Sequence, residues 1–321
     1  MMNPVSRRRF LQQTTELAAA AAVCGHSALL QAAAAARPVP GLQLYTIQND
    51  IAKDPGATLR QVAAMGYKEV EAVWFMDPRV PAANRPTASE FRKLIDDAGL
   101  RCPSAHLPFG FSATANPLQD AHALRVEYVV SSLLPPTPPS MSDISKLLDT
   151  MNQLTLDDFR QMAALANRIG KEARSEGFRY AYHNHNFEFR DQGGRRGYDI
   201  LLSETDPAYV EFEADCGWMI VAGADPVALM EQHPGRFCMI HVKDFKPSNA
   251  VVTVLGPNPE VQPTELGRGH IDYRPIVAAA RKAGVSHYFV EQELPIVGMT
   301  PLEAAKVDCD YLRKVLAERS S

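Results

Sequence analysis

Residues 180–189 read Tyr180-Ala181-Tyr182-His183-Asn184-His185-Asn186-Phe187-Glu188-Phe189, YAYHNHNFEF. Just upstream, Glu176-Gly177-Phe178 ends a helical segment on a glycine, the residue for which the left-handed conformation costs least. An apolar run of strand length, Phe178 to His183, then ends in two histidines and a carboxylate within six residues. Helix stop, strand and polar strand end make one unit of an α/β fold. The fold class depends on how often that unit recurs.

Eight strand-like runs lie along the chain: Gly41 to Tyr45, Glu69 to Trp74, Arg101 to His106, Val126 to Ser131, Phe178 to His183, Val210 to Asp215, Phe237 to His241 and His287 to Glu291. Helical spacing separates most of them, which argues for parallel βαβ units. Thr87-Ala88-Ser89-Glu90 and Thr155-Leu156-Asp157-Asp158 have the pattern of capping boxes, and Asp225-Pro226 and Thr300-Pro301 put a capping side chain before a proline. Eight βα units in about 285 residues predict a single-domain (β/α)8 TIM barrel over 37–321. No glycine-rich phosphate loop follows the first strand, Leu42-Gln43-Leu44-Tyr45-Thr46-Ile47, as a dinucleotide-binding doubly wound sheet would require. The Pro-rich segment Leu134 to Pro139 reads as an irregular loop after strand four.

In such a barrel the chemistry sits at the C-terminal strand ends. Those ends carry His106, His183, Asp215, His241 and Glu291. Each alone has a structural explanation: a hydrogen-bonded histidine, a turn cap, a strand terminus entering solvent. Together they are harder to explain that way, because burying such groups near one another costs several kcal/mol unless they are paired or bind a cation. Two histidines and two carboxylates suit one divalent ion of the Mn, Co, Zn, Fe or Mg type.

The N-terminus is set apart from the barrel. Ser6-Arg7-Arg8-Arg9-Phe10-Leu11-Gln12, an Ala-rich stretch and Ala34-Ala35-Ala36 predict a twin-arginine export signal over Met1–Ala36 and a periplasmic or otherwise exported protein. Its removal takes away a net +2, so the formal charge of −4 becomes −6, a balance that argues against a polyanionic partner such as nucleic acid. No later stretch reaches the ~20 apolar residues of a membrane span. Cys102, Cys216, Cys238 and Cys309 lack the spacing of a disulfide framework or zinc ribbon and read as buried free thiols.

The segments GLQLYTI, AMGYKEVE, CPSAHLPF, YAYHNHNFEF, DCGWMIVAGADPVAL, IHVKDFK, ELGRGHIDY and YFVEQE, in this order, resemble the xylose-isomerase-like TIM-barrel superfamily of sugar phosphate isomerases and epimerases. The resemblance covers roughly Gly41 to Leu316 and implies a divalent metal held at the ends of strands five to eight. Three of the four ligand positions match Asp215, His241 and Glu291. The first, usually Glu, is His183 here. Either His183 binds the metal, with Glu188 as a neighbouring or catalytic carboxylate, or Glu188 folds back to bind it. The resemblance also implies that barrels pair as homodimers.

The expected reaction is proton abstraction next to a sugar or keto-sugar carbonyl through an enediolate, giving isomerisation or epimerisation. Members with histidine at the His183 position include dehydratases and lyases of keto-sugars and inososes, so β-elimination is the alternative. Glu291, Glu188 and His185 are the candidate catalytic groups, and His106, Lys243, Arg268 and Trp218 the candidate substrate contacts, with Trp74 a second aromatic candidate. Glu265-Leu266-Gly267-Arg268-Gly269-His270 reads either as a loop closing over the site, with Arg268 meeting an anionic substrate, or as a turn before a helix start at Asp272. Two rival classes remain, a DNA-processing endonuclease of the same barrel and a non-catalytic exported sugar-binding protein. The first lacks its expected histidine three residues after Asp215, where this chain has Trp218.

Overall fold

The computed structural model describes residues 38–73, 86–108, 117–136, 144–293 and 296–318. The expected export signal, Trp74 and the end of the Pro-rich segment lie outside these residues. Every described element belongs to the unit Val39–Ser321. Eight parallel strands, β1 (Pro40–Gln43), β2 (Glu69–Val73), β3 (Arg101–His106), β4 (Tyr128–Ser131), β5 (Arg179–His183), β6 (Val210–Asp215), β7 (Phe237–Val242) and β8 (His287–Val290), close into a barrel in which each pairs with its chain neighbours and β1 pairs with β8. A helix follows each strand: α1 (Pro55–Met65), α2 (Ala88–Asp97), α3 (Pro117–Leu124), α4 (Leu156–Ser175), α5 (Gly197–Glu204), α6 (Pro226–Gln232), α7 (Tyr273–Ala283) and α8 (Pro301–Ala317). The fold is therefore the (β/α)8 TIM barrel that the recurring unit predicts.

The caps form where the sequence signals them. Thr87 and Glu90 close a reciprocal box on α2, as do Thr155 and Asp158 on α4, and Asp225 caps α6 ahead of Pro226. Each such cap contributes about 1 kcal/mol by satisfying amides that the first turn leaves free. The first strand ends earlier than expected: the Gln43 side chain accepts from the Tyr45 amide, and Leu44–Ile47 turn into a short 3-10 helix. None of the described helices is long and apolar enough to cross a membrane. Cys102, Cys216, Cys238 and Cys309 are buried free thiols.

Period-two alternation decides what faces the barrel axis. Tyr128, Val130, Ala181, Met239 and Phe289 pack together as an apolar cluster separate from the main one between sheet and helices. Ala181, Met239 and Phe289 lie two residues before His183, His241 and Glu291, so the apolar plug and the polar strand ends share one face. Tyr180 and Tyr182 alternate to the other face and join the main core.

α4 approaches the neighbouring chain closely at one point. A Cβ built on Gly170 would lie 2.3 Å from the Tyr209 carbonyl oxygen, a backbone atom that cannot swing aside. Gly170→Ala is expected to lower stability by about 1–3 kcal/mol despite alanine's better helix propensity, read as an earlier urea unfolding midpoint.

Candidate active site

Four strand ends converge at one barrel mouth. His183, Asp215, His241 and Glu291 each offer a ligand atom, and these atoms all lie within 4.8 Å of one another. Atoms bonded to one divalent ion at about 2.1 Å stand roughly 3–4 Å apart, so the spread suits a single ion. His183 Nε2 is 3.6 Å from Asp215 Oδ2, and His241 Nδ1 is 3.1 Å from Glu291 Oε2. Asp215 uses Oδ1 to cap the short helix Cys216–Val221 by accepting from the Trp218 amide at 2.9 Å. Its buried Oδ2 makes no hydrogen bond of good geometry, although the Lys243 ammonium lies 2.7 Å away. A carboxylate oxygen with no hydrogen bond of good geometry, facing an imidazole and an ammonium beside a second carboxylate, has the chemistry of a divalent-cation ligand.

Lys243 is buried against this mouth. Its ammonium is 2.6 Å from Glu291 Oε2 and 2.6 Å from Glu293 Oε1, and it lies over the Trp218 ring, 5.5 Å from the centroid. Burial alone would favour the neutral amine, but Asp215, Glu291 and Glu293 hold its pKa well above the ordinary lysine value. Burial would likewise protonate Glu291, yet Lys243 and His241 keep its carboxyl well below the usual range. The motif glycine beside Asp215 has a mechanical reason: a Cβ on Gly217 would meet the Lys243 stem at 2.3 Å. Trp218, the expected aromatic contact, donates its indole N–H to Glu293 Oε1 at 3.0 Å and so stands beside the same mouth.

A second polar layer lies behind the first, and two of its members escape the strand-end reading. Glu71 and Glu213 are fully buried in mid-strand. Glu213 contacts His106 and His183, and Glu71 contacts His241. His106, His183, Glu213 and His241 also have metal-like spacing among themselves. Burial opposes the imidazolium of His106, but Glu71 and Glu213 outweigh it and raise its pKa to about 10. His106 thus stands behind His183 and His241, as a hydrogen-bonded, buried histidine. A sequence signal exists for the missed pair: Glu71 and Glu213 alternate with apolar residues in β2 and β6, and Glu213 shares the inward parity of Asp215.

Other expected residues stand elsewhere. Glu188 belongs to neither ligand group. It is fully buried, accepts from the Tyr182 hydroxyl at 2.8 Å and takes the His185 amide on both oxygens at 3.1 and 3.0 Å. Since Tyr182 and His183 alternate in β5, this carboxylate is tied to the opposite face of the strand from His183. Burial raises its pKa to about 8. His185 does approach the site, with its ring 5.1 Å from His183 and 6.4 Å from Trp218, and its buried Nδ1 has no hydrogen-bond partner. Arg268 pairs with Glu265 at 3.2 Å and is half exposed.

The loop carrying Arg268 is a structural turn. Asp244 accepts the amides of Gly267, Gly269, His270 and Ile271, and Asp272 caps α7. Any Cβ on Gly269 would collide with Asp244 and the Phe245 carbonyl. Asp244 is therefore a loop anchor and Lys243 a buried cation. Beneath the loop, Asp308 accepts the Leu266 amide at 2.6 Å and has its second oxygen buried without a partner.

The family profile described as xylose isomerase-like TIM barrel matches residues 59–315. The chain belongs to the xylose isomerase-like TIM barrel family. An inosose dehydratase of Lacticaseibacillus casei is 27% identical over 175 residues, covering 52% of this chain and 57% of that protein. The chain thus spans little more than half the length of these curated relatives. A sugar phosphate isomerase/epimerase of Parabacteroides distasonis superposes with a TM-score of 0.67 at 25% identity, covering 86% of this chain and 98% of the other. The IOLI protein, solved with a zinc atom, superposes with a TM-score of 0.57 at 12% identity over 87% of this chain and 98% of its own, a likeness of fold alone.

Two outcomes test the electrostatics of this family member. Lys243→Met leaves three carboxylates facing one another and should cost the metal-free protein about 3–5 kcal/mol, measured by thermal melting, with part of the loss restored by added divalent ion. Burial, with Glu265 and Asp244 adding, pushes the Asp308 carboxyl up to about 8. A carboxyl whose folded pKa exceeds its unfolded value takes up a proton on folding, so its contribution to stability is lost as pH rises towards about 8. Asp308→Asn should flatten the fall in Tm between about pH 5 and about pH 8; an unchanged slope would remove Asp308 as its source.

Proposed function

We propose that this chain is a divalent-metal-dependent enzyme of keto-sugars or keto-polyols that removes a proton next to a carbonyl, with β-elimination as the outcome. The convergence of His183, Asp215, His241 and Glu291 on one mouth carries the reading. A divalent ion held by these four residues would supply Lewis-acid polarisation of the substrate carbonyl. Glu291, kept anionic by Lys243 and His241, is the carboxylate placed to accept the α-proton. Lys243 offers a charged donor to a substrate oxygen, and Trp218 offers a face against a sugar ring. His185 presents a free ring nitrogen near the same mouth for the second proton transfer.

The placement of Glu188 favours elimination over a symmetric epimerisation. Inversion through an enediolate uses two bases on opposite faces of the substrate, and the resemblance assigns these to the first and last ligand glutamates. Here the first position is His183, and the nearby glutamate is committed to Tyr182 and the His185 amide. Glu291 is left as the carboxylate base, an asymmetry suited to removing a proton and losing a β-substituent. Similarity to an inosose dehydratase supports this direction. Isomerisation is the second reading, supported by the sugar phosphate isomerase/epimerase neighbour. The signal-like N-terminus favours export, and with it free sugars or keto-glycosides over phosphorylated ones.

The experiment is metal analysis of the purified protein, followed by incubation in heavy water with a panel of keto-sugars and inososes. Solvent deuterium should enter the carbon next to the carbonyl, and an unsaturated product or one lacking its β-substituent should accumulate. Chelation and His183→Ala should each abolish exchange, with at least 10²-fold loss of turnover. Exchange that persists in metal-free protein would refute the metal reading, and exchange without elimination would assign isomerisation.

A further inference from the structure

The two histidines at the centre of the mouth each have a carboxylate on both ring nitrogens. His183 turns Nε2 towards Asp215 and sets Nδ1 3.0 Å from Glu213 Oε2. His241 turns Nδ1 towards Glu291 and sets Nε2 2.7 Å from Glu71 Oε2. Both rings therefore belong to two candidate ligand groups, one at the mouth and one behind it. A ring nitrogen that binds a metal carries no proton, and the other nitrogen of that ring then has an N–H that needs an acceptor. Whichever group binds the ion, the other must act as acceptor.

Three observations assign the roles. Glu71 is already committed as an acceptor: the Gln43 amide nitrogen donates to Oε2 at 2.7 Å and the Ser104 hydroxyl to Oε1 at 2.6 Å. The strand register makes this arrangement unavoidable, since Gln43 aligns with Glu71 and Glu71 with Ser104. Secondly, Glu213 Oε2 is shared by His106 Nε2 at 2.9 Å and His183 Nδ1, while Oε1 is 3.3 Å from His241 Nε2. Thirdly, the side chains of Glu71 and Glu213 have no exposed surface, whereas that of Glu291 is 12% exposed. An ion behind the mouth would have no open position for a substrate, which a catalytic site needs.

We infer that Glu71 and Glu213 are positioning residues that accept the Nε2–H of His241 and the Nδ1–H of His183, so that a metal is taken only on the mouth face of both rings. Resting on the metal reading above, this assigns one tautomer to each ring, and the two tautomers differ. The His183 ring binds through Nε2 and the His241 ring through Nδ1. Gln43 and Ser104 hold Glu71 in place, and His106 does the same for Glu213.

The test uses the full chain with ¹⁵N-labelled histidine, loaded with zinc. Long-range proton–nitrogen spectra of the wild type should show His183 with its proton on Nδ1 and His241 with its proton on Nε2. Glu71→Gln and Glu213→Gln should each weaken zinc binding about 10–100-fold in a competition titration while circular dichroism stays that of the folded barrel. Wild-type rings bound through the opposite nitrogens would overturn the inference, and this spectrum decides even if a variant fails to fold. Wild-type affinity in both variants would overturn it too. A wild type that binds neither zinc nor any other divalent ion would instead remove the metal reading on which the inference rests.

Discussion

Glu71, Glu213, Asp215, Glu291 and Glu293 all turn into the top of one barrel, and no fold tolerates so many buried carboxylates without cations between them. Lys243 and the imidazoles of His106 and His241 supply those cations in the protein alone, whereas burial and the neighbouring His241 favour the neutral ring of His183. The rest of the mouth follows from this need. Gly217 lacks a side chain so that the Lys243 stem can pass, and Trp218 covers the ammonium while binding one of its carboxylates. A divalent ion joining the mouth would take over charge that protons on histidine otherwise carry, which couples cation binding to proton release.

The barrel was legible because its signals are local and repeated. Glycine stops, threonine and aspartate caps and eight apolar runs each report a few consecutive residues, and closure adds no new chemistry to them. The convergence of His183, Asp215, His241 and Glu291 was legible for the same reason, because each stands at a strand end. Glu71 and Glu213 were not, because their roles depend on inter-strand register, which sets Glu71 beside Gln43 and Ser104 and Glu213 beside His183. Glu188 shows the opposite error. Its closeness in sequence to His183 suggests a shared site, but the alternation of β5 and the turn at Asn186 to Phe189 carry it to the Tyr182 side.

That displacement separates this chain from a two-glutamate site. With a histidine at the end of β5 and Glu291 at the end of β8, the two sides of the mouth present different groups. The loop holding Arg268 is anchored by Asp244 and Asp308.

Asp215 ends β6, begins the helix that follows and faces the mouth. Its two oxygens divide these duties, Oδ1 fastened to the Trp218 amide and Oδ2 left facing the cations. The rotamer is therefore selected during folding, before any ion arrives, and little side-chain entropy remains to be lost on binding. A glutamate in its place would add a methylene, lose the cap and return that freedom to the unbound state. The short side chain is what allows one residue to finish a strand, start a helix and stand ready as a ligand.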